Sequence, residues 1–235
     1  PRGVPPTLLP PSDTPHRKQH RMSLQTVIPL FPQFTALDGI GPYEVMQRIP
    51  EIDITFIGHD TEVIRSENGM LGIQADATFE DVPSPDIIVF PGGHGTRALM
   101  DDERVLDWLR AAHPSTTFTT SVCTGSLVLA AAGLLDGLTA TTHWSARNVL
   151  TEHGATPVPD RVVEHLEQRI ITAAGVSSGI DMALRLVELM FDRTAAEAAQ
   201  LMIEYDPQPP FDVGALEKSN DEVMTRVIEY AQLRD

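Results

Sequence analysis

Short apolar runs alternate along the chain with longer amphipathic segments. Four such runs lie at residues 24–30, 52–58, 87–90 and 116–122. Continuous apolar runs of this length are typical of strands buried on both faces of a parallel sheet. Together with the segments between them, they predict an α/β fold: a flavodoxin-like three-layer sandwich with a mainly parallel central sheet flanked by helices.

The intervening segments carry helix signals. Pro42 suits the first turn of a helix running to about Ile49, and residues 101–113 have one apolar side. Further helices are predicted at 125–135, 145–153 and 180–191, from a Thr194 cap to about Tyr205, and at 221–233. These helices would form the outer layers of the sandwich.

Shorter strands are predicted outside the four main runs. Residues 63–79 are typical of a hairpin, because Asn68-Gly69 is a strong turn signal, and such a hairpin often forms a flap. Further strands are predicted at 138–142 and 156–158, with a pair of strands inside 162–173.

The single cysteine lies between a predicted strand and a predicted helix, in Ser121-Val122-Cys123-Thr124-Gly125. Small residues stand two positions before and two positions after it, as a sharp turn requires. Such a turn lifts one side chain out of the sheet, as in a nucleophile elbow. The sequence therefore predicts Cys123 as a nucleophile that faces a cavity.

Two other loops are expected at the same edge of the sheet as Cys123. Asp38 follows the 24–30 strand, Gly92-Gly93-His94-Gly95 follows the 87–90 strand, and ligands of parallel sheets bind at this carboxyl edge. A helix N-terminus is expected to lower the pKa of the Cys123 thiol. Burial is expected to raise the pKa of Asp38, which could then donate a proton. The amides of Gly93 and Thr124 are candidates for an anion-stabilising pocket.

Each of these residues also has a purely structural interpretation. A free cysteine is often a small buried hydrophobe, Asp38 can cap a helix at Pro42, and Gly92-Gly93 can form a simple turn. His94 and His143 suit loop hydrogen bonds as well as a pocket. The strand-turn-helix context favours the functional interpretation of Cys123.

Composition narrows the function classes. The 235 residues are 42% hydrophobic and 21% charged, with a net charge of -16, which is typical of a globular protein and disfavours nucleic-acid binding. The apolar stretches are too short for a membrane span. The histidines lack paired ligand spacing and no GxGxxG or P-loop pattern occurs, so no metal or cofactor is expected. A lone cysteine suits the reducing cytoplasm, and a small molecule is the expected partner.

Three strings resemble the PfpI/ThiJ superfamily, which has the class I glutamine amidotransferase-like fold. They are Ile87-Ile88-Val89-Phe90-Pro91-Gly92-Gly93, Ser121-Val122-Cys123-Thr124-Gly125-Ser126 and Ala140-Thr141-Thr142-His143-Trp144. Residues 37–43 and 204–211 also resemble the isonitrile hydratase group, and the resemblance covers roughly 24–211.

The resemblance implies a hydro-lyase that converts R-NC and water to an N-substituted formamide. It implies a catalytic cysteine and aspartate, assisted by the threonine after the cysteine, at positions that match Cys123, Asp38 and Thr124. The residues assigned to substrate or oxyanion binding are Gly92, Gly93, His94 and His143. Because superfamily members are usually homodimers, a homodimer is also implied.

Departures from other branches leave two alternatives. Protease-type members carry histidine where Thr124 stands, and glyoxalase or deglycase members commonly carry glutamate where Asp38 stands. His94 replaces the small residue usual in the hydratases, so a glyoxalase-like activity on small carbonyls stays open. AraC-type regulators carry the same domain for ligand binding. About thirty residues follow the resemblance here, too few for their paired helix-turn-helix, but a non-catalytic binding or redox-sensing role stays open.

The chain is expected to form a single domain. Residues 1–21 are rich in proline and basic side chains and lack the apolar core of a secretory signal. We expect them to be a disordered tail or a tag, with residues 22–235 as one class I glutamine amidotransferase-like domain.

Overall fold

The computed structural model describes residues 23–233, so the expected tail at 1–21 lies outside the described part. The strands are β1 (Leu24–Pro29), β2 (Ile52–Gly58), β3 (Val63–Arg65), β4 (Gly72–Gln74), β5 (Ala77–Thr78), β6 (Ile87–Phe90), β7 (Phe118–Val122), β8 (Thr139–Ala140), β9 (Thr156–Pro157), β10 (Val162–His165) and β11 (Ile170–Ala173). The α-helices are α1 (Ala36–Met46), α2 (Thr96–Leu99), α3 (Glu103–Ala112), α4 (Gly125–Ala131), α5 (Arg147–Glu152), α6 (Ser178–Met190), α7 (Arg193–Met202) and α8 (Asp221–Gln232).

The central sheet has seven strands in the order β10-β11-β7-β6-β1-β2-β5. Its neighbouring strands run parallel except for β10 and β11, which form the predicted antiparallel pair. The strands β3 and β4 form a hairpin within the predicted segment 63–79, whereas β5 at the end of that segment joins the central sheet. The strands β8 and β9 form a separate two-stranded sheet. Because β1 lies between β2 and β6, the strand order reverses there, which opens a crevice at the carboxyl ends of β1 and β6.

Helices cover both faces of this sheet. The helices α1, α6 and α7 pack on the face that carries Ile28 and Val89, whereas α2 to α5 pack on the face that carries Val27 and Phe90. All four positions of β6 are buried, as expected for a central parallel strand covered on both faces. The predicted three-layer sandwich is confirmed.

Two helix starts differ from the prediction. Helix α1 begins at Ala36, so Pro42 lies inside the helix rather than in its first turn. Packing of α1 against α6 compensates for the local propensity, although Pro42 has no N-H to donate to the carbonyl of Asp38. Helix α7 is capped by Asp192, whose side chain accepts from the Ala195 N-H, and Thr194 lies within it.

The turn from β7 into α4 has the geometry of a nucleophile elbow. Cys123 has a φ of 56°, in the left-handed region that is strained for a side chain other than glycine. Gly125 lies so close to the end of β6 that a Cβ at this position would lie 2.2 Å from the Phe90 carbonyl oxygen. The elbow therefore depends on a residue without a side chain at position 125.

We expect Gly125→Ala to lower the free energy of unfolding by about 2–3 kcal/mol, because the added methyl group meets backbone atoms that cannot rotate away. Urea unfolding measures this loss. The matched control is Gly214→Ala, where a Cβ meets nothing within 4 Å and a change within about 0.5 kcal/mol is expected. Equal stability of the two variants would contradict the close approach at the elbow.

Candidate active site

The loops after β1, β6 and β7 meet at Gly92. Its N-H donates to Asp38 Oδ2 over 2.9 Å, and its carbonyl accepts from the Thr35 N-H over 2.8 Å. A Cβ on Gly92 would lie 2.5 Å from the Thr124 nitrogen and 2.9 Å from Asp38 Oδ2. Gly92 is therefore the packing point between the Asp38 loop and the elbow, and the structure brings the three predicted loops together.

Asp38 lies in the first turn of α1 and is completely buried. Burial raises its pKa to about 7, against the opposing effects of the Gly92 N-H and the neighbouring Cys123 thiol, and the charge of Glu67 raises it further. Its Oδ1 has no hydrogen-bond partner within residues 23–233. The helix-cap interpretation of Asp38 is wrong, because its carboxyl accepts from Gly92 instead of from its own helix.

Cys123 is 5% exposed and faces a cavity. Burial, followed by the negative charge of Asp38, raises the pKa of its thiol to about 12, although the backbone N-H groups of Val176 and Thr124 oppose this rise. The net lowering expected for this pKa is wrong, although the Thr124 N-H at the start of α4 acts in the expected direction. The loss of water around the sulfur outweighs the two N-H groups.

Thr124 connects the elbow to the glycine loop. Its hydroxyl accepts from the Gly93 N-H over 2.9 Å and lies 3.1 Å from the Gly93 carbonyl oxygen, to which it donates. The Gly93 amide is thus already engaged by Thr124. The amides that contact the sulfur are those of Thr124 and Val176, and Val176, with a φ of 30°, was missed in the sequence.

A cavity of about 210 Å³ opens in front of Cys123, and we call it the reaction cavity. Its other walls are Thr35, Glu67, Gly93, His94, Arg97, Thr124, His143, Ser145 and Val176. Asp38 and Gly92 are not among the described residues that line the cavity. The Cys123 sulfur therefore lies between the Asp38 carboxyl and the cavity.

Both histidines predicted for the pocket line the reaction cavity. His94 is exposed. His143 is half-buried, and its Nδ1 lies 2.8 Å from Ser145 Oγ. Burial lowers the pKa of His143, so its imidazole is neutral at pH 7.

Two charged residues of the cavity were not predicted. Glu67 lies at the turn of the β3-β4 hairpin and accepts from Thr35 Oγ1 over 2.8 Å. Arg97, in α2, donates to Thr96 Oγ1 over 3.0 Å. The Asn68-Gly69 turn signal marked the hairpin as a flap, but it could not show which side chain the hairpin turns inward.

Residues 23–233 contain neither a candidate metal site nor a candidate membrane-spanning helix. This part of the chain contains no group of three or more His, Cys, Asp or Glu side chains placed to hold a metal ion. Its helices are all too short or too polar to cross a lipid bilayer.

A strained cysteine at a strand-to-helix turn, beside a buried carboxyl group at the edge of a parallel sheet, defines an α/β protein of the nucleophile-elbow class. The chain belongs to the DJ-1/PfpI family, whose model matches residues 25–189. The resemblance to PfpI/ThiJ proteins is thereby confirmed.

Three known proteins illustrate the range of this similarity. Isonitrile hydratase from Pseudomonas putida is 42% identical to the chain, over 91% of this chain and 90% of that protein. Glutathione-independent glyoxalase DJR-1.2 from Caenorhabditis elegans is 28% identical, over 59% of this chain and 74% of its own length. The crystal structure of a ThiJ/PfpI family protein from Pseudomonas syringae superposes with a TM-score of 0.84 and 35% identity, covering 96% of this chain and 93% of that one.

The raised thiol pKa predicts slow alkylation. Because the thiolate is the reactive form, we expect iodoacetamide at pH 8 to label native Cys123 roughly a hundredfold more slowly than the same chain unfolded in urea. Asp38→Asn should accelerate labelling of the native protein, since it removes a negative charge beside the sulfur. Asp53→Asn, a change at an exposed aspartate, serves as the matched control. Rapid native labelling with a midpoint below pH 8 would contradict the raised pKa.

Proposed function

We propose that the protein is an isonitrile hydratase, which adds water to R-NC and releases an N-substituted formamide. Its catalytic residues are Cys123 as nucleophile and Asp38 as proton carrier, with Thr124 as positioning residue. The 42% identity to isonitrile hydratase across 91% of the chain carries this proposal. The buried contact between the Cys123 thiol and the Asp38 carboxyl supports it.

The first half of the reaction needs both a nucleophile and a proton at the same carbon. The sulfur of Cys123 forms a bond to the isonitrile carbon while its proton passes to the Asp38 carboxylate. Asp38 then delivers that proton to the carbon, which gives a thioimidate, R-N=CH-S-Cys123. A thiol that keeps its proton at rest is therefore suited to this chemistry, because the proton is consumed in the addition.

The second half hydrolyses the thioimidate. A water molecule adds its oxygen to the carbon, the carbon-sulfur bond breaks, and the protons of the water end on the nitrogen and on the sulfur. The products are R-NH-CHO and the original thiol, so atoms and charge balance over the cycle. We assign the acceptance of a proton from this water to His143, because it lines the reaction cavity and is neutral at pH 7.

The remaining predicted residues hold the reacting groups in position or line the reaction cavity. Gly92 holds the Asp38 carboxyl through its N-H, and Gly93 holds the Thr124 hydroxyl. The N-H groups of Thr124 and Val176, which contact the sulfur, stabilise negative charge that develops on it during bond formation and bond breaking. His94 completes the polar wall.

A glyoxalase-like activity is the second candidate, because DJR-1.2 is 28% identical over 59% of the chain. Such an enzyme would add the Cys123 thiol to the aldehyde of methylglyoxal to give a hemithioacetal. A proton shift from C1 to C2 would convert this to a thioester, and water would hydrolyse the thioester to lactate and the free thiol. A cavity lined by Glu67, Arg97 and two histidines suits a small polar carbonyl compound as well. The aspartate at position 38, where glyoxalases commonly carry glutamate, favours the hydratase.

The proposal includes a cytoplasmic location and a homodimer. The lone thiol suits a reducing compartment. Cyclic dimers are the commonest oligomers. Sedimentation of the purified protein measures its oligomeric state directly.

Cys123→Ser and Asp38→Asn should each lower kcat/KM for cyclohexyl isonitrile by at least about a thousandfold, since each removes a reacting group. Formamide release measures the rate, and Asp53→Asn should match the unmodified protein. Turnover of methylglyoxal but of no isonitrile would support the glyoxalase instead. Inactivity in both assays would favour a binding or redox-sensing role.

The pH profile should follow the shared protons of Cys123 and Asp38. The reactive form of the pair has a protonated Cys123 thiol and an ionised Asp38 carboxylate. We therefore expect kcat/KM to rise with pH around a midpoint near 7, where Asp38 ionises. No fall is expected below about pH 10, because the thiol pKa is about 12. A rate that declines as pH rises through 7 would show that Asp38 must be protonated before the thiol adds.

A further inference from the structure

A second cavity, of about 350 Å³, adjoins the reaction cavity, and we call it the side cavity. His143 and Val176 line both cavities, so these two residues form the boundary that the cavities share. The lining of the side cavity includes three charged residues, Arg147, Arg161 and Glu217. It also has an apolar wall, formed by Trp144, Pro159 and Leu216. None of the three apolar residues has a role in the reaction described above.

The reaction cavity alone is a poor site for a whole substrate. Small-molecule sites usually span about 300–1,000 Å³ and are mostly apolar with a few polar groups. The reaction cavity has about 210 Å³ and is lined by Glu67, Arg97 and two histidines. An apolar substituent would lose its water there and gain few apolar contacts.

Isonitrile geometry carries the substituent away from the sulfur. The R-N≡C unit is linear, so a substrate whose carbon meets Cys123 Sγ places its substituent on the far side of the nitrogen. His143 and Val176 stand at the junction between the cavity of Cys123 and the apolar wall. A substituent that passes them reaches Trp144 and Leu216.

The roof of the side cavity is a strap formed by residues 211–218. It contains no buried residue, and Leu216 is its half-buried member. The strap is tied to the body by an ion pair between Arg147 Nη1 and Glu217 Oε1 at 2.8 Å. Leu216 can therefore be replaced with little effect on the fold.

We propose that the side cavity is the subsite that binds the N-substituent of the substrate. This inference rests on the proposed hydratase function. It makes Trp144 and Leu216 residues that determine specificity without touching the reacting carbon.

Leu216→Trp tests the subsite by filling it. The variant should lower kcat/KM for cyclohexyl isonitrile by about tenfold or more, and should change kcat/KM for methyl isonitrile by less than about twofold. Leu201→Trp is the matched control, because Leu201 is 80% exposed on α7, and it should leave both rates unchanged. Equal losses for the two substrates in Leu216→Trp, or no loss for either, would overturn the proposal.

Binding of the products separates this proposal from the hydratase itself. Isothermal titration with N-cyclohexylformamide and N-methylformamide needs no turnover. The subsite predicts tighter binding of the cyclohexyl compound by the unmodified chain, and an about tenfold weakening in Leu216→Trp that Leu201→Trp does not show. Absence of isonitrile turnover would refute the hydratase. Equal binding of the cyclohexyl compound by the unmodified chain and Leu216→Trp would refute the subsite.

Discussion

The chemistry of this protein depends on how closely three loops approach one another at Gly92. Because no side chain fits at that position, the Asp38 carboxyl and the Thr124 backbone come within contact of the same glycine. The approach excludes water from Asp38 and leaves Cys123 only slightly exposed to the reaction cavity. The raised pKa values of both groups are therefore first of all consequences of burial, and the charges of Glu67 and Asp38 add to the rise.

Two physical effects compete at the Cys123 sulfur. The N-terminus of α4 and two backbone N-H groups favour the thiolate, whereas burial and the nearby carboxyl favour the thiol. Burial prevails, so the pair retains its proton at neutral pH. Protease-type cysteine sites need a ready thiolate, but an addition that also protonates carbon needs the proton close by. The balance of these effects, more than the identity of the nucleophile, suits the site to hydration.

Much of the fold and part of the site follow from local sequence signals. The buried runs that became β1, β6 and β7 predicted the parallel sheet, and small residues around Cys123 predicted the elbow. The parallel arrangement of the strands then predicted that Asp38 and Gly92 lie at the same edge of the sheet. These inferences succeeded because strand burial and sharp turns are specified by short segments of chain.

The sequence could not specify effects that depend on distant contacts. Helix α1 starts six residues before Pro42, because packing against α6 outweighs local propensity. The direction in which the Cys123 pKa shifts depends on how deeply the thiol is buried, and no local motif indicates that burial. Glu67 and Val176 reach the cavity from segments far away in the chain, and the shape of the side cavity depends on a strap that follows the last strand by nearly forty residues.

The two cavities are built from parts of the chain with different tolerance of substitution. The three loops around Gly92 are tightly packed, and changes there alter folding as well as chemistry. The strap at 211–218 has no buried residue, and substitutions on such surfaces usually change stability by less than about 0.5 kcal/mol. Mutation can thus remodel the side cavity while the packing around Cys123 and Asp38 stays intact, so the two cavities can evolve independently of each other.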